Sequence, residues 1–138
     1  MIKNMLSSNP SRYDIEDCSA CGKKIIFHPT IAPNHNIIWR KSFTALQETL
    51  EFWSPVYNIH CRHSCPGKFT RTSNLNEHII IELDIRHQKN LKKSLKCSLG
   101  EFPTTMYLGP RNQATKFEYR LAGVVEYLPG HYIAHCIP

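Results

Sequence analysis

The stretch Cys18-Ser19-Ala20-Cys21-Gly22-Lys23-Lys24 (CSACGKK) sets two cysteines three positions apart and follows them with a glycine. At that spacing two thiolates can reach one tetrahedral ion, and glycine permits the tight turn that brings them round. A structural zinc takes four ligands, so this pair demands a second. Asn58 to Cys65 (NIHCRHSC) supplies it with Cys61 and Cys65, flanked by His60 and His63. CxxxC is a looser spacing than CxxC, so His63 stands as the first substitute for one thiolate, with His60 behind it. The competing reading has four free cysteines packed as small hydrophobic groups. Both clusters lie in polar stretches, where apolar packing has little to offer. The sequence therefore predicts one structural zinc on Cys18, Cys21, Cys61 and Cys65. Of the other two cysteines, Cys97 follows a basic stretch and reads as structural, while Cys136 lies in the last apolar run and reads as core.

The rest of the chain bounds what such a site can serve. At 138 residues there is room for one domain with a sizeable core, and 41 % apolar residues are those of a folded protein. The formal charge of +6 permits an acidic partner, but Lys and Arg are scattered. The one compact basic run, Asn90 to Lys96 (NLKKSLK), reads as a solvated loop. No recognition helix follows the cysteines and no aromatic–basic alternation marks a single-strand platform, so nucleic acid ranks last among partners. The opening residues (MIKNMLSSNPSRYDIED) contain no unbroken apolar core, which argues against a signal peptide and a membrane span. The expectation is an intracellular protein of cytoplasm or nucleus, where cysteines serve metal or catalysis rather than disulfides.

Read for elements, residues 1–12 look like a flexible lead-in. Lys23 to Pro29 (KKIIFHP) and Asn36 to Arg40 (NIIWR) read as the two arms of a hairpin. Ser42 to Trp53 (SFTALQETLEFW) has Phe43, Leu46, Leu50 and Trp53 at helical spacing, with Thr44 and Gln47 as a capping box, and Ser54-Pro55 ends it. His78 to Ile85 (HIIIELDI) reads as a central strand. A basic connection, His87 to Cys97, leads on to Glu101 to Gly109, a short edge segment closed by a turn. Thr115 to Leu128 and His131 to Ile137 read as a hairpin about the Pro129-Gly130 turn. The predicted fold class is α+β and strand-rich, with one helix and an antiparallel sheet.

The order of these features resembles the C-terminal part of a ubiquitin-specific protease domain, the papain-like cysteine peptidases that release ubiquitin. It rests on the CxxCG knuckle, FTALQETLEFW, Tyr57 and the second cysteine cluster, then HIIIELDIR, FPTTMYL, YRLAGVV and GHYIAHC. The resemblance implies a partial form of that fold over residues 13–138: zinc-ribbon fingers at about 18–65, palm strands and a histidine box at about 76–138. It implies that His131 is the general base of a cysteine-type deubiquitinase, with Gly130 and Tyr132 against the substrate tail. It further implies a structural zinc, and ubiquitin or SUMO as partner. The sequence departs from the family pattern where the nucleophilic Cys box and the orienting Asp or Asn would stand, so the chain is expected to be inactive alone. Glu126 occupies a position where that family often has His or Asn. The alternatives are a catalytically inactive ubiquitin- or SUMO-binding module and, in another class, a zinc-dependent nucleic-acid-binding domain.

Overall fold

Strand β1, Arg12–Cys18, is rich in acidic residues, yet it is a central strand of the largest sheet. Its carboxylates explain how. Glu16 sits directly opposite Arg71 and accepts a hydrogen bond from Arg71 Nε at 2.9 Å. Asp14, buried, lies 2.9 Å from His28 Nε2 and 3.1 Å from Arg12. Charges that would disfavour a central position are paired across the ladder. The computed structural model describes residues 9–50, 55–61, 64–83, 86–87, 90–96, 98–110 and 114–138. Most of the described residues with regular structure are in strands. Among the described residues, antiparallel sheets are accompanied by two short helices, neither long and apolar enough to cross a membrane.

Strand β1 pairs on one side with β2, Gly22–His28, and on the other with β4, Lys68–Leu75; β3, Val56–His60, lies outside β4. Gly22–His28 is thus a strand, as its apolar run suggests, but its partner is β1 and not Asn36–Arg40. The expected second arm is helix α1, His35–Lys41. Asn34 caps it by accepting from Asn36 N–H at 3.1 Å, Arg40 and Lys41 sit in its last turn, and Ile38 is buried. The β-branched pair Ile37-Ile38 favours a strand by composition; tertiary burial of one face and the Asn34 cap override it.

The expected helix at Ser42 is a 3₁₀ turn, Phe43–Ala45, running into α2, Leu46–Leu50; Trp53 and the Ser54 boundary lie outside the described residues. Phe43, Leu46 and Leu50 are buried, as their spacing predicts. The capping box does not form: Thr44 Oγ1 donates to Lys41 O, while Gln47 Oε1 accepts from Tyr107 N–H at 3.1 Å. His78–Ile81 does not form the expected central strand. It is extended beside Ile31, whose N–H donates to Ile80 O at 2.8 Å and whose carbonyl accepts from Glu82 N–H, giving one isolated parallel bridge at Ile81. Positions 84 and 85 lie outside the described residues. The basic run expected as a loop contains β6, Asn90–Ser94, paired with β5, Arg86–His87. Strand β7, Thr105–Leu108, pairs with β8, Phe117–Arg120; β9, Gly123–Leu128, pairs with β10, His131–Cys136. Among the described residues, the strands expected to form one palm sheet are three separate two-stranded ribbons.

A single apolar cluster joins Ile31, Ile38, Phe43, Leu46, Leu50, Phe102, Met106 and Leu108, with Phe43 and Phe102 ring centroids 5.0 Å apart. The larger sheet is tied to this cluster through Ser11, inside the stretch expected as a lead-in. Ser11 is buried; its Oγ donates to Pro29 O at 2.6 Å and accepts from Ile80 N–H at 2.8 Å, and its carbonyl accepts from Asn76 N–H. Asn76 in turn donates to Pro10 O, and its carbonyl accepts from Tyr119 OH at 2.6 Å. Replacing Ser11 with Ala removes the acceptor of the Ile80 N–H and the shorter of two bonds to Pro29 O. Ser11→Ala should therefore cost about 1–3 kcal/mol in chemical denaturation. Asn9→Ala, at an exposed position, should stay within about 0.5 kcal/mol.

Candidate metal centre

Two hairpin ends meet at one end of the four-stranded sheet. The β1–β2 turn runs from Cys18 to Gly22, which are paired across the ladder, and Gly22 adopts a φ of +82° that favours glycine. The β3–β4 connection runs from His60 to Lys68 and is closed by Cys61 N–H donating to Gly67 O at 3.0 Å. Because β1 and β4 are neighbours, with Cys18 opposite Phe69, the two turns lie side by side. Ser19 stitches them: its N–H donates to Lys68 O at 3.1 Å, and its Oγ accepts from Lys68 N–H at 3.2 Å.

This arrangement brings the sulfurs of Cys18, Cys21, Cys61 and Cys65 within 4.8 Å of one another. The two contacts with hydrogen-bond geometry are Cys18 Sγ–Cys65 Sγ at 3.7 Å and Cys21 Sγ–Cys61 Sγ at 3.6 Å. A disulfide would need about 2.05 Å. A zinc–sulfur bond of about 2.3 Å gives a tetrahedron whose edge is about 3.8 Å. The observed separations match the edge and not the bond. The cluster is a fit for a tetrahedral ion with four thiolate ligands.

Electrostatics point the same way. Backbone N–H groups of Cys21 and Ala20 aim at the Cys18 sulfur and lower its pKa from 9.0 to about 6. Hydrogen bonding to the Cys18 sulfur, then to those of Cys61 and Cys65, pushes Cys21 up to about 12. For Cys61, the contact with Cys21 pulls down, but desolvation and the Cys18 and Cys65 sulfurs outweigh it and the net shift is upward. One thiolate is thus stabilised, and it resists the ionisation of its neighbours. A bound dication reverses that resistance, because it favours every deprotonated ligand at once.

The other expected site residues fall elsewhere. His63 lies outside the described residues, and His60, exposed, is not among the clustered ligands. His131 opens β10, opposite Leu128, directly after Gly130 with φ of +90°; the tight Pro-Gly turn and the hairpin are as the sequence predicts. Gly130, His131 and Tyr132 are all exposed. Cys136, expected in the core, is exposed instead, because it belongs to the outward-facing set of β10 with Tyr132 and Ala134. It stands five positions along the strand from His131, about 16 Å away at the usual rise. Cys97 lies outside the described residues. Glu126 faces the half-buried His135 at 3.9 Å.

Comparison with protein-family models, curated proteins and solved structures returned no match.

Sequence reasoning missed Gly67. A Cβ there would lie 2.6 Å from Cys18 Sγ and 2.8 Å from the Ala20 side chain, so only glycine lets one turn press against the other. Its place two residues after Cys65 was the available signal, since a knuckle turn calls for glycine near its second ligand. Gly67→Ala should therefore lower metal retention in a chelator competition and cost roughly 1–3 kcal/mol of stability. Gly100→Ala is the control: its nearest neighbour would be 3.9 Å away. Equal behaviour of the two variants would show that the turns are not in close contact.

Proposed function

We propose that this chain is the zinc-ribbon and histidine-bearing part of a cysteine-type deubiquitinase domain, recognising ubiquitin or a ubiquitin-like protein such as SUMO. The observation that carries this reading is the convergence of Cys18, Cys21, Cys61 and Cys65 from two adjacent hairpin ends. That convergence supports a structural zinc at the tip of a four-stranded finger, the feature on which the resemblance rests most heavily. Zinc here has a folding role: binding on the order of 10 kcal/mol would hold together turns that otherwise meet through a few hydrogen bonds. It performs no step of the reaction.

His131 supports the catalytic half of the reading. It is exposed at the mouth of a hairpin, where an imidazole can accept a thiol proton and leave a thiolate to attack the isopeptide carbonyl. The thiol has to come from outside the described residues, since four cysteines are clustered and Cys136 is too far along the strand. The same distance favours a second reading, a module that binds ubiquitin or SUMO without cleaving it. The +6 charge alone speaks for nucleic acid, and nothing in the geometry adds to it.

Freshly purified chain should contain close to one equivalent of zinc, and a chelator should abolish its strand signal in circular dichroism. Less than half an equivalent would sink the zinc reading. Titration of isotope-labelled ubiquitin, and of SUMO in parallel, should give saturable shifts with one of them; silence from both would overturn the recognition reading. No fluorophore should be released from a ubiquitin conjugate by the chain alone.

In a fusion or complex that supplies the thiol, His131→Ala should slow turnover by roughly 10²-fold or more with binding retained. His135→Ala, at a half-buried position, should alter stability more than rate. Turnover unchanged by His131→Ala would show that His131 is not the general base.

A further inference from the structure

The four cysteines are held in two pairs that both cross from one hairpin end to the other. Cys21 Sγ faces Cys61 Sγ at 3.6 Å on the exposed side, and Cys18 Sγ faces Cys65 Sγ at 3.7 Å on the part-buried side. Cys18 is only 5 % exposed and lies against Gly67. Cys21 is exposed, and its sulfur lies on the open side of the cluster. Where one ion holds all four sulfurs alike, access to solvent decides which of them an oxidant reaches first.

From this asymmetry we propose that the cluster is a peroxide-sensitive modification site that oxidises in order, Cys21–Cys61 first and Cys18–Cys65 second, giving two disulfides that bridge the hairpins. The proposal rests on the zinc reading for its starting state, in which the ion holds all four sulfurs deprotonated. The Cys21 thiolate attacks one oxygen of hydrogen peroxide, the O–O bond breaks, and hydroxide leaves as the sulfur becomes a sulfenic acid. The Cys61 thiolate then attacks that sulfur, the S–O bond breaks, and a second hydroxide leaves. One peroxide is reduced as two thiolates become one disulfide, and the ion departs as a dication with its oxidation state unchanged. A second peroxide does the same for Cys65 and Cys18.

The pairing has a structural consequence. Both bridges join the β1–β2 turn to the β3–β4 turn, the same two elements that the ion joins. Oxidation would therefore exchange one clasp for another and leave the sheet assembled, whereas chelation removes the clasp outright. A bridge within either turn, Cys18–Cys21 or Cys61–Cys65, would leave the turns free of each other.

The test treats the zinc-loaded chain carrying Cys97→Ser and Cys136→Ser, which removes both cysteines outside the cluster, with hydrogen peroxide. Zinc content is measured before oxidant, so a failed zinc reading is seen separately from a failed pairing. One equivalent of peroxide should release the zinc to a chromogenic chelator and yield Cys21–Cys61 in non-reducing peptide maps. Two equivalents should add Cys18–Cys65. The doubly oxidised chain should keep the strand signal that a chelator destroys, and a dithiol with zinc should restore the starting state. A dominant bridge within one turn, Cys18–Cys65 appearing first, or sulfinic acids without disulfides would each overturn the proposal.

Discussion

The register between β1 and β4 is the constraint on which the cysteine cluster and the Glu16–Arg71 pair both depend. These strands are more than fifty positions apart in the chain, and their pairing sets Cys18 opposite Phe69 and Glu16 opposite Arg71. A slip of one residue would turn every side chain of β1 to the other face. Cys18 would then leave the sulfur cluster, and Glu16 would lose Arg71. Two independent costs thus enforce one alignment. Partly exposed pairs such as Glu16–Arg71 contribute at most about 1 kcal/mol each, so the four-cysteine cluster, with an ion bound, would be the stronger of the two. The ion pairs discriminate against the wrong register rather than hold the right one.

The larger sheet has few buried apolar side chains of its own. Cys18 and Phe69 are the buried hydrophobic residues within its strands, while Ile25, Phe27, Tyr57 and Ile59 remain exposed. A sheet with so little apolar burial depends on specific interactions at its two ends. At one end the cysteines converge. At the other, Ser11 and Asn76 fasten Pro10, Pro29, Ile80 and Tyr119 to a common point beside the apolar cluster. Hydrogen bonds at that junction are satisfied and largely shielded from water, which makes the joint directional in a way that hydrophobic contact alone is not.

The four-cysteine cluster was legible because its signal is chemical: residue type and spacing survive whatever the backbone does. Phe43, Leu46 and Leu50 were legible for a similar reason, since their spacing marks a buried stripe even though the helix is broken into a 3₁₀ turn and one short segment. The failures all involve partners distant in sequence. Arg12–Cys18 hides its strand character behind acidic residues whose cross-strand partners are Arg71 and His28. Ile37-Ile38 carries the composition of a strand but the cap of a helix, and burial of Ile38 decides between them. Ile79 and Ile81 alternate like a strand, yet the neighbouring chain reaches them only at Ile31, so one bridge forms and the ladder stops. Cys136 sits in an apolar run whose outward face no other described strand covers.

That last point bears on His131. A two-stranded ribbon has little stability by itself, so the direction of the imidazole has to be set by features of the ribbon and its seat. Glycine fixes both ends. Gly130, at φ of +90°, makes the two-residue turn that pairs Leu128 with His131; at the other end a Cβ on Gly123 would come within 2.7 Å of His135 O. Between them Val124 packs against the apolar cluster while Val125 and Tyr132 face outward. The alternation therefore commits Ile133 and His135 to the seated face, both half-buried, and leaves His131 at its rim, on that face but beyond its cover. Two histidines of one strand share a face and differ in solvent access. The difference comes from distance to the turn, which leaves one imidazole packed beside Glu126 and the other free to meet a group brought to it from outside.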